Sequence, residues 1–354
     1  MPTFCRHNRF IERCPICSKT LPGQQAPSGS ARRPIAAGPS AGTGRRRGGG
    51  SQRVRIQREG RAQDDGYRSP LVPGLRASAD ASRLAAEMAF ASGRLAGLRE
   101  DPPGLYGEIR RLAGDDPERA TWACFLTAYL SPLDGEDPFA GIRLALAAGP
   151  SPPLAGAAGE RPAAVPDLGG IPLGPRSSHD PGRGGETLVA YGQWVQRAAR
   201  SQSVLTSGAG AATDGPQAIA FRGDPSWSAT RRFERIFERL ALPGFGRAGR
   251  YDLLVTLGYL GVYELRPDAL HLGGARGVSA EDPTRLGAKR VFGIGDPLVL
   301  ERRAAALAEA ASAPVETLDL ALSNWASPER ATLGFPPDSG DPDALALAEQ
   351  ALGL

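Results

Sequence analysis

Residues 282–326 read DPTRLGAKRVFGIGDPLVLERRAAALAEAASAPVETLDLALSNWA. The stretch divides into a short helix over 284–292, a turn Gly293-Ile294-Gly295, and a second helix from Pro297 to about Ser312. Asp296 suits the cap of that second helix and Pro297 its first turn, because a proline there gives up an N–H that has no intrahelical partner. Two helices joined by a glycine turn make a helix-hairpin-helix. Its glycines permit positive φ and close approach, and the N–H groups opening the second helix can hold a phosphate, with Lys289 and Arg290 beside the turn. Further on, Val315, Leu318, Leu322 and Trp325 mark a buried stripe with Asp319 at its edge. An ionised, unpaired carboxylate among apolar neighbours costs several kcal/mol. Asp319 therefore either caps a local N–H or serves chemistry.

Working outward, helical periodicity recurs along the chain. Leu84, Met88, Leu95 and Leu98 define a helix near 78–98 with Asp80 as its cap. Asp116-Pro117 opens a helix carrying Trp122, Phe125, Leu126 and Tyr129, and Asp137-Pro138 opens a shorter one that stops at Gly149. Helices follow over 186–204 and 228–241, and one through 249–267 runs until Gly258 or Gly261. No series of alternating strands appears, so the fold class is all-α, with eight to ten short helices. Residues 150–183 are Pro- and Gly-rich, a long internal loop that is either mobile or a functional lid.

The 354 residues include 46 Gly and 32 Pro, a high share for a chain folded throughout. Residues 21–77, rich in Gly, Pro, Ser, Ala and Arg without apolar periodicity, form a long disordered linker. Ordered structure is expected from about Ser78, giving a helical domain over 78–335 and a C-terminal segment over 336–354. The net charge is +4, but residues 1–62 hold 13 basic groups against Glu12 and Glu59. Attraction to a polyanion would come from that arm, which otherwise serves as a solubilising tail. No apolar run approaches a membrane span, and no secretory leader opens the chain. A cytoplasmic, monomeric protein without membrane partners is expected.

Cys5, His7, Cys14 and Cys17 supply a C-x-H-x6-C-x2-C set within a module at 1–20. Four such ligands suit a closed, structural tetrahedral zinc site. The alternative is that the same residues are unliganded or redox-active. No GxGxxG after a strand and no P-loop lysine are present, so no organic cofactor is expected.

The chain resembles the helix-hairpin-helix DNA glycosylase superfamily, and within it the branch named alpha-glutamyl/putrescinyl thymine pyrophosphorylase. The residues that carry the likeness are Arg119-Ala-Thr-Trp122, Ala128-Tyr-Leu-Ser-Pro132, Lys289-Arg-Val-Phe-Gly-Ile-Gly295 and Leu318-Asp-Leu-Ala-Leu-Ser-Asn-Trp325, within roughly 80–335. The resemblance implies DNA as partner, phosphates gripped at Lys289, Arg290, Gly293 and Gly295, and a catalytic acid after the hairpin, here Asp319. No lysine follows the glycines, so it does not extend to a Schiff-base lyase. Asn324 is a further catalytic candidate that could pair with the edge of a flipped base. Trp122 and Tyr129 could stack on that base, although such spacing more often marks core.

The expected function is cleavage of the glycosidic bond of a modified base, a hypermodified thymine or another 5-substituted pyrimidine. The alternatives are a pyrophosphorylase acting on 5-hydroxymethyl pyrimidine in DNA and a non-catalytic DNA-binding protein. The sequence displays no carboxylate triad for Mg²⁺ and no dense arginine cluster in the helical domain, which favours the glycosylase reading over the pyrophosphorylase.

Overall fold

The computed structural model describes residues 62–154, 165–203, 215–273 and 282–354. The chain separates into units 1–56 and 57–354, and the first lies outside the described residues. All regular structure among the described residues is α-helical, in twelve helices: α1 Ser78–Glu100, α2 Leu105–Asp115, α3 Pro117–Leu130, α4 Ala140–Ala148, α5 Gly184–Ser203, α6 Pro216–Arg222, α7 Ala229–Arg239, α8 Arg247–Tyr259, α9 Pro283–Phe292, α10 Pro297–Ala310, α11 Thr317–Ala326 and α12 Pro342–Leu352. Among these residues no helix is long and apolar enough to cross a membrane.

Asp-Pro opens four of these helices. Asp116, Asp282, Asp296 and Asp341 each accept a backbone N–H of the first turn, with proline at the first position. Asp80 departs from expectation: it lies in the first turn of α1 and caps nothing. Asp65 does that work from outside the helix, accepting the Ser78 N–H at 2.9 Å.

Residues 62–77, placed in the linker by composition, pack onto the helical body. Val72 and Leu75 are buried, Gly74 N–H donates to the Val291 carbonyl at 2.9 Å, and the Tyr67 hydroxyl donates to the Leu352 carbonyl at 2.6 Å. Two apolar side chains and backbone pairing suffice to order a stretch whose composition reads as solvent-loving. The rest of the expected linker lies outside the described residues.

Helices α3, α8 and α11 are buried on nearly every side, as a helix in the middle of a multi-layer bundle must be. Helix α11 packs against α1 and α9, and α1 also against α12. The approach of α9 to α11 depends on Gly287, where any Cβ would overlap the Leu322 carbonyl oxygen. This packing holds the first turn of α11, and with it Asp319, in the interior.

Candidate anion site around Asp319

Burying α8 and α11 brings Arg247, Asp252 and Asp319 out of water, and charges so placed persist only when paired. The 165–183 segment supplies the missing partner. Gly174 N–H donates to the carbonyls of Leu130 and Ser131, and Ser178 N–H to that of Tyr129, so the segment is laced to the end of α3. A Cβ at Gly174 would overlap the Pro132 carbonyl oxygen, which makes glycine necessary for this approach. Arg176 is thereby carried inward.

Arg176 Nε donates to Asp252 Oδ2 at 3.0 Å and Nη2 to Asp319 Oδ2 at 2.8 Å. From the other side, Arg247 Nη2 lies 2.7 Å from Asp319 Oδ1 as an ion pair, and its Nε donates to Asp282 Oδ2 at 3.0 Å. Arg247 Nη1 donates to the Leu270 carbonyl at 2.9 Å. Thr284 Oγ1 donates to the backbone carbonyl of Asp319 at 3.1 Å. Asp282 joins this network while capping α9, so one carboxylate both starts the hairpin's first helix and anchors Arg247.

Burial pushes the Asp319 carboxyl up, but the guanidiniums of Arg247 and Arg176 more than offset this and hold it below the ordinary carboxylate value. Burial prevails at Asp252, whose carboxyl is raised despite Arg176 beside it. Both arginines stay charged because neighbouring aspartates outweigh the cost of burial.

Beside the network lies a cavity of about 480 Å³, walled in part by Arg176, Arg247, Asp282, Ser323, Asn324 and Glu329. That volume is in the range that takes a small ligand or an everted base. Cavities of about 640 and 700 Å³ elsewhere adjoin no member of the network.

The residues singled out by sequence fall in several places. Asp319 is buried in the first turn of α11, but it faces two guanidiniums instead of capping an N–H, and it does not line the cavity wall. Asn324 does line it, with its amide committed: Nδ2 donates to Glu87 Oε2 and the Ala331 carbonyl, and Oδ1 accepts the Ala331 N–H. Trp122 and Tyr129 are core residues. Trp122 stacks on Phe125 and donates to the Gly149 carbonyl at 2.7 Å, while the Tyr129 hydroxyl meets His179 Nδ1 at 3.0 Å. Neither reaches the cavity.

At the hairpin, Gly293 is the left-handed C-cap of α9 with φ +66°, and it and Gly295 are exposed beside half-buried Lys289 and exposed Arg290. Asp296 already accepts the N–H groups of Leu298 and Val299, at 2.9 and 3.2 Å. Asp296 thus caps α10 as its sequence position suggests, and its carboxylate occupies the N–H groups that could otherwise hold a phosphate.

Two expectations are corrected. The helical domain does contain converging arginines and three aspartates, drawn from positions 176 to 319 by the fold, but the guanidiniums separate the carboxylates. A structural zinc is not supported: among the described residues no group of three or more His, Cys, Asp or Glu side chains is arranged to hold a metal ion. Cys5, His7, Cys14 and Cys17 lie outside the described residues.

Residues 185–333 match the family described as alpha-glutamyl/putrescinyl thymine pyrophosphorylase clade 3, over less than half of the chain. The matched stretch holds Arg247, Asp252, Asp282 and Asp319 but not Arg176. No curated protein and no solved structure is significantly similar to the chain. The match is thus to a pyrophosphorylase clade, and no link to the wider glycosylase superfamily is shown.

Proposed function

We propose that the chain acts on a modified pyrimidine base in DNA at the cavity beside Asp319, by pyrophosphorylase-type exchange at the methylene on C5. A pyrophosphate oxygen supplies its lone pair to that carbon, and the bond from the carbon to its amine or hydroxyl substituent breaks. The substituent keeps the bonding pair and takes a proton from solvent, leaving as amine or water, while the base stays attached to its sugar. The observation that carries this reading is the pair of guanidiniums on one ionised carboxylate at the edge of a base-sized cavity, in a chain matched to that family.

Guanidiniums suit phosphate-type oxyanions, which they meet with charge-assisted, directional hydrogen bonds. Glycosidic cleavage would instead ask Asp319 to stabilise positive charge at the sugar. Both of its oxygens already face arginine nitrogens, which favours the exchange over base release. Here Asp319 is a positioning residue that keeps the two arginines in place. The exposed hairpin, with Lys289 and Arg290, would hold backbone phosphates beside the target.

The test is a panel of duplexes carrying 5-hydroxymethyl and amine-substituted pyrimidines, incubated with and without pyrophosphate, with nucleosides analysed by mass. The expected product is a pyrophosphate-dependent change of substituent on a base still in the strand. Free base released without pyrophosphate would return the glycosylase reading. Binding with no product from any substrate would leave a DNA-binding protein.

A further inference from the structure

We propose that Arg176 is the residue that contacts the anionic group in the cavity, through Nη1, and that Asp319 and Asp252 are positioning residues that present it. This rests on the reading above for the identity of the anion, and it assigns that anion a subsite.

The two buried guanidiniums differ in how their donors are used. A guanidinium carries five N–H donors on three nitrogens, and a nitrogen with no acceptor at all is the clearest deficit. In Arg247 Nε donates to Asp282 and Nη1 to the Leu270 carbonyl, while Nη2 makes no hydrogen bond but lies 2.7 Å from Asp319 Oδ1 as an ion pair. In Arg176 Nε goes to Asp252 and Nη2 to Asp319, while Nη1 has no hydrogen-bond partner among the described residues. The Arg176 side chain is only 6% exposed, so water does not easily make up the deficit. A buried donor left without an acceptor is costly, and an oxyanion oxygen would remove that cost.

Arg176 also forms part of the cavity wall, with the hydroxyl-bearing Ser178 and Ser323 around the same space. Two arginines that look alike in sequence thus differ: each nitrogen of Arg247 lies beside an acceptor, whereas Arg176 Nη1 has neither a hydrogen bond nor an ion pair among the described residues. The anion class is a phosphate-type oxyanion, and the enclosed position of Arg176 favours pyrophosphate over a backbone phosphate of duplex DNA.

The test is calorimetric titration of the full chain with inorganic pyrophosphate, and separately with an unmodified duplex, using wild type, Arg176→Lys and the double variant Arg176→Gln with Asp252→Asn. Lysine keeps the charge but offers one ammonium to two carboxylates and an anion. The double variant removes a cation together with one anion, so it strands less charge. The unfolding transition of each variant reports whether it has folded. Wild type is expected to bind pyrophosphate, and each folded variant to bind it at least ten-fold more weakly, with duplex affinity changed less than two-fold.

Wild type that fails to bind pyrophosphate overturns the proposal. A folded variant binding within two-fold of wild type does so as well, and so does a loss confined to the duplex. If pyrophosphate binds as expected but no exchanged base forms, the subsite stands and the reaction assigned above fails.

Discussion

Arg176 and Asp319 lie 143 positions apart in the chain and meet at 2.8 Å, in a contact almost sealed from solvent. The carboxylate is shared with Arg247 on its other oxygen, so one acid holds together a loop, α8 and α11. Breaking a buried pair by removing one partner is far more damaging than its net contribution would suggest, because the remaining charge is stranded.

Asp319→Asn takes a carboxylate from two buried guanidiniums at once, leaving Arg176 with Asp252 and Arg247 with Asp282. Urea unfolding at neutral pH should show a loss of about 3–5 kcal/mol relative to wild type. The acid limb of the stability curve should also change. The Asp319 carboxyl is held below its ordinary value in the folded state, so its contribution is full above the usual carboxylate range and is lost as pH falls through the lowered value. A loss under about 1 kcal/mol would mean that the ion pairs contribute little.

Gly174→Ala tests the loop without touching a charge. The new Cβ would overlap the Pro132 carbonyl oxygen and push the segment bearing Arg176 outward. The expected cost is about 1–3 kcal/mol by thermal or urea melting, as for other overpacked sites. Pyrophosphate affinity should fall with it. Unchanged affinity in this variant would show that the loop's seat does not govern Arg176.

Asp296→Ser separates capping from charge at the hairpin. Serine caps nearly as well as aspartate, so stability should stay within about 0.5 kcal/mol. The negative charge beside the turn disappears, and affinity for duplex DNA at low salt should rise. Lys289→Ala should do the reverse, weakening binding and reducing the salt slope by about one. Equal DNA affinity in all three proteins would remove the hairpin from the binding surface.

His271 gives a pH signature elsewhere in the core. It stacks on Phe237 at 4.4 Å, and burial brings it down to about 4. Above its unfolded value near 6.5 the ring is neutral in both states. Between there and about 4 the unfolded chain takes up a proton that the folded one refuses, so stability falls with pH by up to about 3 kcal/mol. His271→Asn suits the positive φ of +54° at this position and does not titrate in that window. Denaturant melts at pH 7 and 4.5 should show a smaller difference in this variant than in wild type.

The two helices α9 and α10 with the glycine turn between them, the helix carrying Trp122 and the class of fold were legible because their signals are local: an apolar period of 3.6, glycines at a turn, and the Asp-Pro pairs that open helices. Helix α6 has seven residues, too few for a period to show, and α12 runs Ala-Leu-Ala-Leu-Ala through its middle, with its polar residues confined to its two ends. The site was legible in part. Asp319 stood out against its apolar neighbours, but Arg176 sits in a Pro- and Gly-rich loop where an arginine resembles any other surface charge. One signal was available in α8, where Arg247, Arg250 and Asp252 interrupt an otherwise apolar helix. Charges on a helix with no wet face must find partners in the interior.

The seam at residue 185 has a practical side. The matched stretch opens one residue into α5, downstream of the loop that delivers Arg176 and of α1, against which α11 rests. A recombinant fragment trimmed to those limits would expose one flank of α11 and leave Asp252 without its arginine. Its failure to turn over substrate would report the cut and say little about the chemistry of the parent chain.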